Sequence, residues 1–197
     1  MTAAMKKLLP LAGLVLLGAC VKFGSEPPPS LLSLDSAASV PVGKTQSSAS
    51  AKTITIKVPE VSQELSVQRV PVQATDTSIA YIKNAQWVEP PARLFARLLA
   101  DTISAKTNRV VVGTAQSLVN PGATLSGELR SFGVDAATQE AVVTYDAALV
   151  RKDSQTVEKR RFEARVPVSA IEAGPAGRAI NEAANQVAAE VAAWVGS

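Results

Sequence analysis

The sequence predicts an α/β domain with a mixed, mainly antiparallel sheet and two main helices. Three observations predict it: a helical stretch opening at Pro90-Pro91, a second from about Pro175, and alternating strands filling 123–168 between them. A signal peptide over 1–19 and a flexible tether over 20–52 are expected to precede the domain at 53–197.

The amino-terminal elements come first. Residues 1–5 are small and neutral, and either Met1 or Met5 suits a start. Lys6 and Lys7 give a positive region, followed by the apolar run 8–17 (LLPLAGLVLL). That run is of signal-peptide length and well short of the roughly 20 residues that span a bilayer. Gly18 and Ala19 then lead into Cys20, the only cysteine. A lone cysteine forms no intramolecular disulfide and no cysteine-based zinc site. A catalytic thiol needs a histidine or a cationic setting, and the chain has no histidine.

Leu17-Gly18-Ala19-Cys20 resembles a bacterial lipobox. The resemblance implies cleavage between Ala19 and Cys20, diacylglycerol on the Cys20 sulfur, and acylation of the new amino terminus, as by palmitate. One acyl chain binds a membrane marginally; two or more give stable anchoring. The competing reading is an ordinary secretory signal with a cysteine at its end. Val21, where lipoproteins held at the inner membrane carry aspartate, points to the periplasmic face of the outer membrane. This covalent lipid is the one non-protein group expected; no cofactor and no metal are predicted.

Composition limits the partners. The precursor carries 20 basic and 17 acidic residues, a net charge of +3. Losing Lys6 and Lys7 with the signal leaves +1. The precursor's basic balance therefore gives no reason to expect nucleic acid. About 145 residues follow the tether, enough for one core.

The segment 21–52 is punctuated by SEPPPS and SVPVGKTQSSASAK, a tether composition. The apolar island 31–34 (LLSL) reads as a short edge strand docking back on the domain. In 53–58 (TITIKV), Ile54, Ile56 and Val58 alternate on one face. A less regular strand follows over 65–72, with Pro71 placing its end at an edge or turn. Residues 79–82 and 85–88 read as a hairpin around Lys83-Asn84.

Pro90-Pro91 suits a first helical turn, where proline's missing amide costs nothing. Leu94, Phe95, Leu98, Leu99, Thr102 and Ile103 then recur at helical spacing, opposite Arg93, Arg97 and Asp101, to an end near 107–108. Residues 109–112 (RVVV) read as a short buried strand. In 123–134, Leu125, Gly127 and Leu129 face away from Glu128, Arg130 and Phe132. In 140–150, Ala141, Val143, Tyr145, Ala147 and Leu149 share a face. RKDSQ marks a turn into a strand over 155–168. The closing helix, 175–195, carries an apolar stripe of Ile180, Ala184, Val187, Val191 and Trp194.

Catalytic patterns are missing. Without histidine there is no Ser-His-Asp triad and no histidine metal site. No Gly-x-Ser-x-Gly elbow occurs. Val42-Gly43-Lys44-Thr45 ends like a P-loop, but Ala38 stands where the leading glycine belongs. Glu128 and Asp146 read as salt-bridged strand neighbours near Arg130 rather than as an acid pair. Lys159-Arg160-Arg161 reads as a protected strand edge, with contact to anionic headgroups as the alternative. Trp87 and Trp194 read as core packing beside each helix; with Pro90 and Pro91 they are also the residues that would meet a partner.

The ordered elements together resemble the ABC-type transport auxiliary lipoprotein family, of the paraquat-inducible protein C kind. The resemblance rests on the lipobox, the Leu-Leu-Ser-Leu strand, Ile79-Ala80-Tyr81, and Trp87-Val88-Glu89-Pro90-Pro91 leading into the first helix. It continues through 125–132 (LSGELRSF), 141–145 (AVVTY), Arg161-Phe162 and an alanine-rich helix ending in Trp194-Val195. It covers roughly 31–195. It implies a three-layer α/β domain and a non-catalytic, lipid-anchored accessory subunit. The implied partners are an ABC permease, its ATPase and a mammalian-cell-entry-type protein, moving lipids or other apolar molecules between membranes. Self-association into a homo-oligomer is left open. The alternative function is an envelope assembly factor or a lipoprotein regulator of a cell-wall synthase. An anchored hydrolase is the third reading, and the missing histidine opposes it.

Overall fold

In the computed structural model the described residues are 30–119, 122–152, 154 and 156–197. The expected signal peptide, Ala19 and Cys20 lie outside them. In chain order the elements are β1 (Lys52–Ile56), β2 (Glu60–Val61), a 3-10 turn (Gln63–Leu65), β3 (Arg69–Thr75), β4 (Ser78–Gln86), α1 (Pro91–Lys106), β5 (Arg109–Val111), α2 (Thr114–Val119), β6 (Ala123–Asp135), β7 (Glu140–Val150), β8 (Val157–Pro167) and α3 (Ala173–Gly196).

The long strand β6 organises an eight-stranded mixed sheet. One edge of β6 pairs antiparallel with β7, which pairs antiparallel with β8. The other edge is shared by three strands, all parallel to β6: β1 at its start, β2 at Glu128 and Leu129, and β3 at its end. The sheet therefore splits into two arms, one closed by β5 beside β1 and the other by β4 beside β3.

Helices α1 and α3 pack on each other and on the sheet. Pro90 and Pro91 open α1, and Thr107 closes it by donating its hydroxyl to the Ile103 carbonyl at 2.7 Å. Its apolar face buries Leu94, Phe95, Leu98, Leu99 and Ile103 as expected. On α3 the buried band is wider than the expected stripe. It adds Ala176, Ala179, Ala183, Ala188, Ala192 and Val195, while Trp194 is only half-buried. The reason is position: α3 touches α1 and strands β4, β6, β7 and β8, and small residues allow that close approach.

A third layer lies over the helices. Leu32 forms a parallel bridge with Trp87: its N–H donates to the Gln86 carbonyl at 2.7 Å, and the Val88 N–H donates to its carbonyl at 2.8 Å. This single bridge stands where a short strand was expected. Farther on, the Asp35 N–H donates to Asn181 Oδ1 at 2.9 Å and the Ala37 N–H to Asn185 Oδ1 at 2.8 Å. Gln46 Nε2 reaches the Ser104 carbonyl of α1 at 3.1 Å. Residues 32–46, within the segment read as a tether, thus run along the helix pair.

Four local expectations are corrected. Lys83-Asn84 is no hairpin turn. The chain turns between β3 and β4 instead, and Asn84, at φ 58°, sits in an irregular stretch of one strand. Pro71 lies inside β3, at a register shift that tolerates its missing N–H. Phe132 is buried, because a register shift between Leu129 and Ser131 inserts Arg130 and reverses the alternation. Residues 109–111 are half-exposed, since β5 is a sheet edge.

Candidate functional site

The sheet face carrying the exposed ionic residues is the candidate interaction surface. Register places Glu128 of β6 beside Asp146 of β7, and Asp146 beside Arg161 of β8. Arg161 grips Asp146 with both prongs of its guanidinium, each at 2.6 Å. Arg130 lies 3.3 Å from Glu128 and 3.8 Å from Asp146. Beyond this row, Thr144 donates its hydroxyl to Glu163 at 2.9 Å. Arg165 bonds Glu163 at 2.8 Å and reaches Glu140 at 3.5 Å.

These pairings fix the protonation states. The hydrogen bonds from Arg161 hold the Asp146 carboxyl below the usual aspartate range. The hydrogen bond from Arg165, helped by Thr144, does the same for Glu163. Each carboxylate is kept ionised, so neither is a proton donor near neutral pH. Glu128 and Asp146 are the salt-bridged neighbours the sequence suggested. A hollow of about 500 Å³ lies along this row, lined by Lys57, Glu60, Glu128, Asp146, Lys159 and Arg161 among others. Its mixed charge suits docking of a complementary polar surface.

The pairing has a pH signature. A free aspartate titrates near 3.8, and folded Asp146 titrates lower. Its ion pairs therefore stabilise the fold fully above that value and are lost as pH falls through the lower folded value. Asp146→Asn is expected to flatten the acid-side fall of the melting temperature, measured between about pH 2 and pH 6. An unchanged acid slope would mean that Arg161 does not hold Asp146 in solution.

Of the four residues expected to meet a partner, Trp87 and Pro91 are buried and Pro90 and Trp194 half-buried. Trp87 is fully enclosed with its ring 5.5 Å from Phe132. Its indole Nε1 has no hydrogen-bond partner among the described residues. Trp194 leans on Phe162 at 5.6 Å. Lys159, Arg160 and Arg161 sit exposed on β8, an outer strand of the sheet, and the Arg160 guanidinium lies 5.0 Å over the Phe162 ring. The P-loop-like tetrapeptide is a turn: the Lys44 N–H donates to the Pro41 carbonyl at 3.2 Å, with Gly43 at φ 84°.

The sequence reading missed a second cluster. Lys52, Arg109 and the adjacent Arg151 and Lys152 come from three separate segments and line one hollow at the end of the sheet. Only the β1–β5, β1–β6 and β6–β7 pairings bring them together. Among the described residues, no group of three or more histidine, cysteine, aspartate or glutamate side chains could hold a metal ion. No described helix is long and apolar enough to cross a membrane.

Comparison with known proteins gives the following. The family model of the ABC-type transport auxiliary lipoprotein component matches residues 33–192. A crystal structure of a Xanthomonas campestris protein of family DUF330 superimposes with a TM-score of 0.69 at 18% identity, covering 84% of this chain and 94% of that one. The crystal structure of an uncharacterized protein superimposes with a TM-score of 0.65 at 17% identity, covering 73% of this chain and 92% of that one. At these identities the two structures share the fold with this chain. No curated protein matches.

Proposed function

The chain belongs to the family of ABC-type transport auxiliary lipoprotein components, and from that premise we propose that it is a non-catalytic, lipid-anchored periplasmic subunit. It holds or completes a transport conduit of the mammalian-cell-entry type at the outer membrane. The cargo class is lipids or other apolar molecules. The observation that carries this reading is the family match over 33–192, which takes in α1, α2, all but the last turn of α3, the whole sheet and much of the overlying segment.

The physical arrangement supports it. Cys20 stands ten residues before the first described residue, a span that reaches at most about 35 Å when extended. A span of that length would keep the domain close to a membrane that holds Cys20. The paired charges of the outer sheet face offer orientation and register to a docking protein. The lack of histidine and the firmly ionised carboxylates favour binding over turnover.

The test is a pull-down of tagged full-length protein from gently solubilised membranes, with partners identified by mass spectrometry. A Cys20→Ser variant runs beside it. Recovery of a permease, an ATPase and a mammalian-cell-entry protein from the parent, and its loss in Cys20→Ser, is the expected result. Recovery of cell-wall synthases with no transporter subunit would overturn the reading.

A further inference from the structure

The hollow at the end of the sheet has an unbalanced charge. It measures about 570 Å³, and its lining includes Lys52, Arg109, Arg151 and Lys152 but no described acidic residue. Lys52 and Arg109 are direct register partners across the parallel β1–β5 pair. Like charges directly opposite each other weaken a sheet. A third cation presses on the same point, because burial and then the nearby Arg151 charge pull Arg109 below its ordinary basicity.

The local partners offset only part of this. Arg109 Nε donates to the Val195 carbonyl near the end of α3, at 3.1 Å. Arg151 is paired with Glu158 at 2.7 Å and also donates to the Ser197 oxygen at 3.1 Å. These contacts explain Arg151 and one nitrogen of Arg109. No described carboxylate pairs with Lys52, Arg109 or Lys152. Crowding that folding does not relieve is what a site built for an absent anion looks like.

We propose that this hollow binds a phosphate-bearing anion, held chiefly by Arg109 and Lys52 with Lys152 at its rim. Guanidinium forks match phosphate oxygens two at a time, and several clustered cations suit a phosphate better than a single carboxylate. The Ser48 side chain, also in the lining, is a hydroxyl donor of the right kind, while the Ser50 hydroxyl beside it donates to the Ser47 carbonyl at 3.3 Å. The phosphate belongs either to a lipid headgroup or to a free ion. The site lies at the carboxyl-terminal end of α3, whereas Leu32 meets that helix at Gly177, some 27 Å away along the axis. The proposal goes beyond the transport reading and stands independently of it.

Calorimetric titration of the full-length protein in non-ionic detergent tests it with two probes. Inorganic phosphate represents the free ion, and glycerophosphoglycerol the headgroup diester. One-to-one binding of either probe is expected, and the tighter one names the source. Lys52→Gln and Arg109→Gln are each expected to weaken it about tenfold or more. Arg109→Gln also removes a contact to α3, so circular dichroism accompanies it, and Lys52→Gln carries the test if that variant unfolds. Lys83→Gln, exposed on β4 and outside this hollow, is expected to bind as the parent does. Absence of binding by both probes overturns the proposal. So does binding that survives Lys52→Gln, or that Lys83→Gln weakens equally.

Discussion

Gly127→Ala is expected to destabilise the domain by about 3 kcal/mol or more, a large share of a typical domain's stability. Gly127 sits within β6, paired with Ala147 of β7, at φ +153°. A β-carbon there would lie 2.1 Å from the Asp146 carbonyl oxygen and 2.9 Å from Tyr145 Cε2. Neither neighbour can give way. The carbonyl belongs to the central strand β7, and Tyr145 is fully enclosed, its hydroxyl tied to the Ser126 carbonyl at 2.8 Å. Gly174→Ala is the matched control. Its β-carbon would meet only Arg178 Nη1, at 3.6 Å, in the first turn of α3. That change is expected to be neutral or to stabilise by up to about 1 kcal/mol. Urea unfolding followed by far-ultraviolet circular dichroism separates the two. A Gly127→Ala midpoint equal to that of Gly174→Ala would show that β6 and β7 slide past each other more easily than their register implies.

That register is also where sequence reading reaches its limit. Helix α1 was legible because Pro90-Pro91 and the spacing of Leu94, Phe95, Leu98 and Leu99 are local signals. Strand β7 was legible to the residue because its apolar residues 141, 143, 145, 147 and 149 recur on one face between Glu140 and the RKDSQ turn, although Val142 and Thr144 on the other face are buried as well. Phe132 was not, since the inserted Arg130 that turns it inward reveals itself only against β7. Asn84 carries a turn-like residue type, but it falls where the β3–β4 register jumps from Gln86 to Tyr81, so it bends a strand instead. The three parallel strands along one edge of β6 are joined by contacts distant in sequence, which no local pattern encodes. The candidate surfaces divide the same way. That Glu128 and Asp146 lie on the outer faces of their strands follows from alternation, whereas their adjacency needs the β6–β7 register and the Arg161 grip on Asp146 needs the β7–β8 register. The cluster of Lys52, Arg109, Arg151 and Lys152 needs the whole sheet.

Trp87→Ala is expected to cost about 3–5 kcal/mol, the range for removing a large enclosed aromatic side chain. Trp87 begins a chain of rings: 5.5 Å to Phe132, 6.2 Å from Phe132 to Phe95, and 5.3 Å from Phe95 to Tyr145. The chain links the end of β4 to α1 and the two central strands. Its first member also holds the overlying segment, because the Leu32 bridge is made to Trp87 and its neighbours. Hydrogen exchange over 32–37 is therefore expected to accelerate in Trp87→Ala beyond the change in global stability. Trp87→Phe separates volume from hydrogen bonding. The indole N–H has no partner among the described residues, so phenylalanine loses packing but removes an unpaid buried donor. Its midpoint is expected much closer to the parent than to Trp87→Ala. Equal damage from the two changes would mean that the indole N–H is bonded after all. The same enclosure bears on the role of Trp87 in recognition. A side chain with no exposed surface meets a partner only if the segment around Leu32 lifts away. Loss of transporter recovery in Trp87→Ala is then expected to track loss of the fold, while a well-folded Trp87→Phe protein keeps its partners.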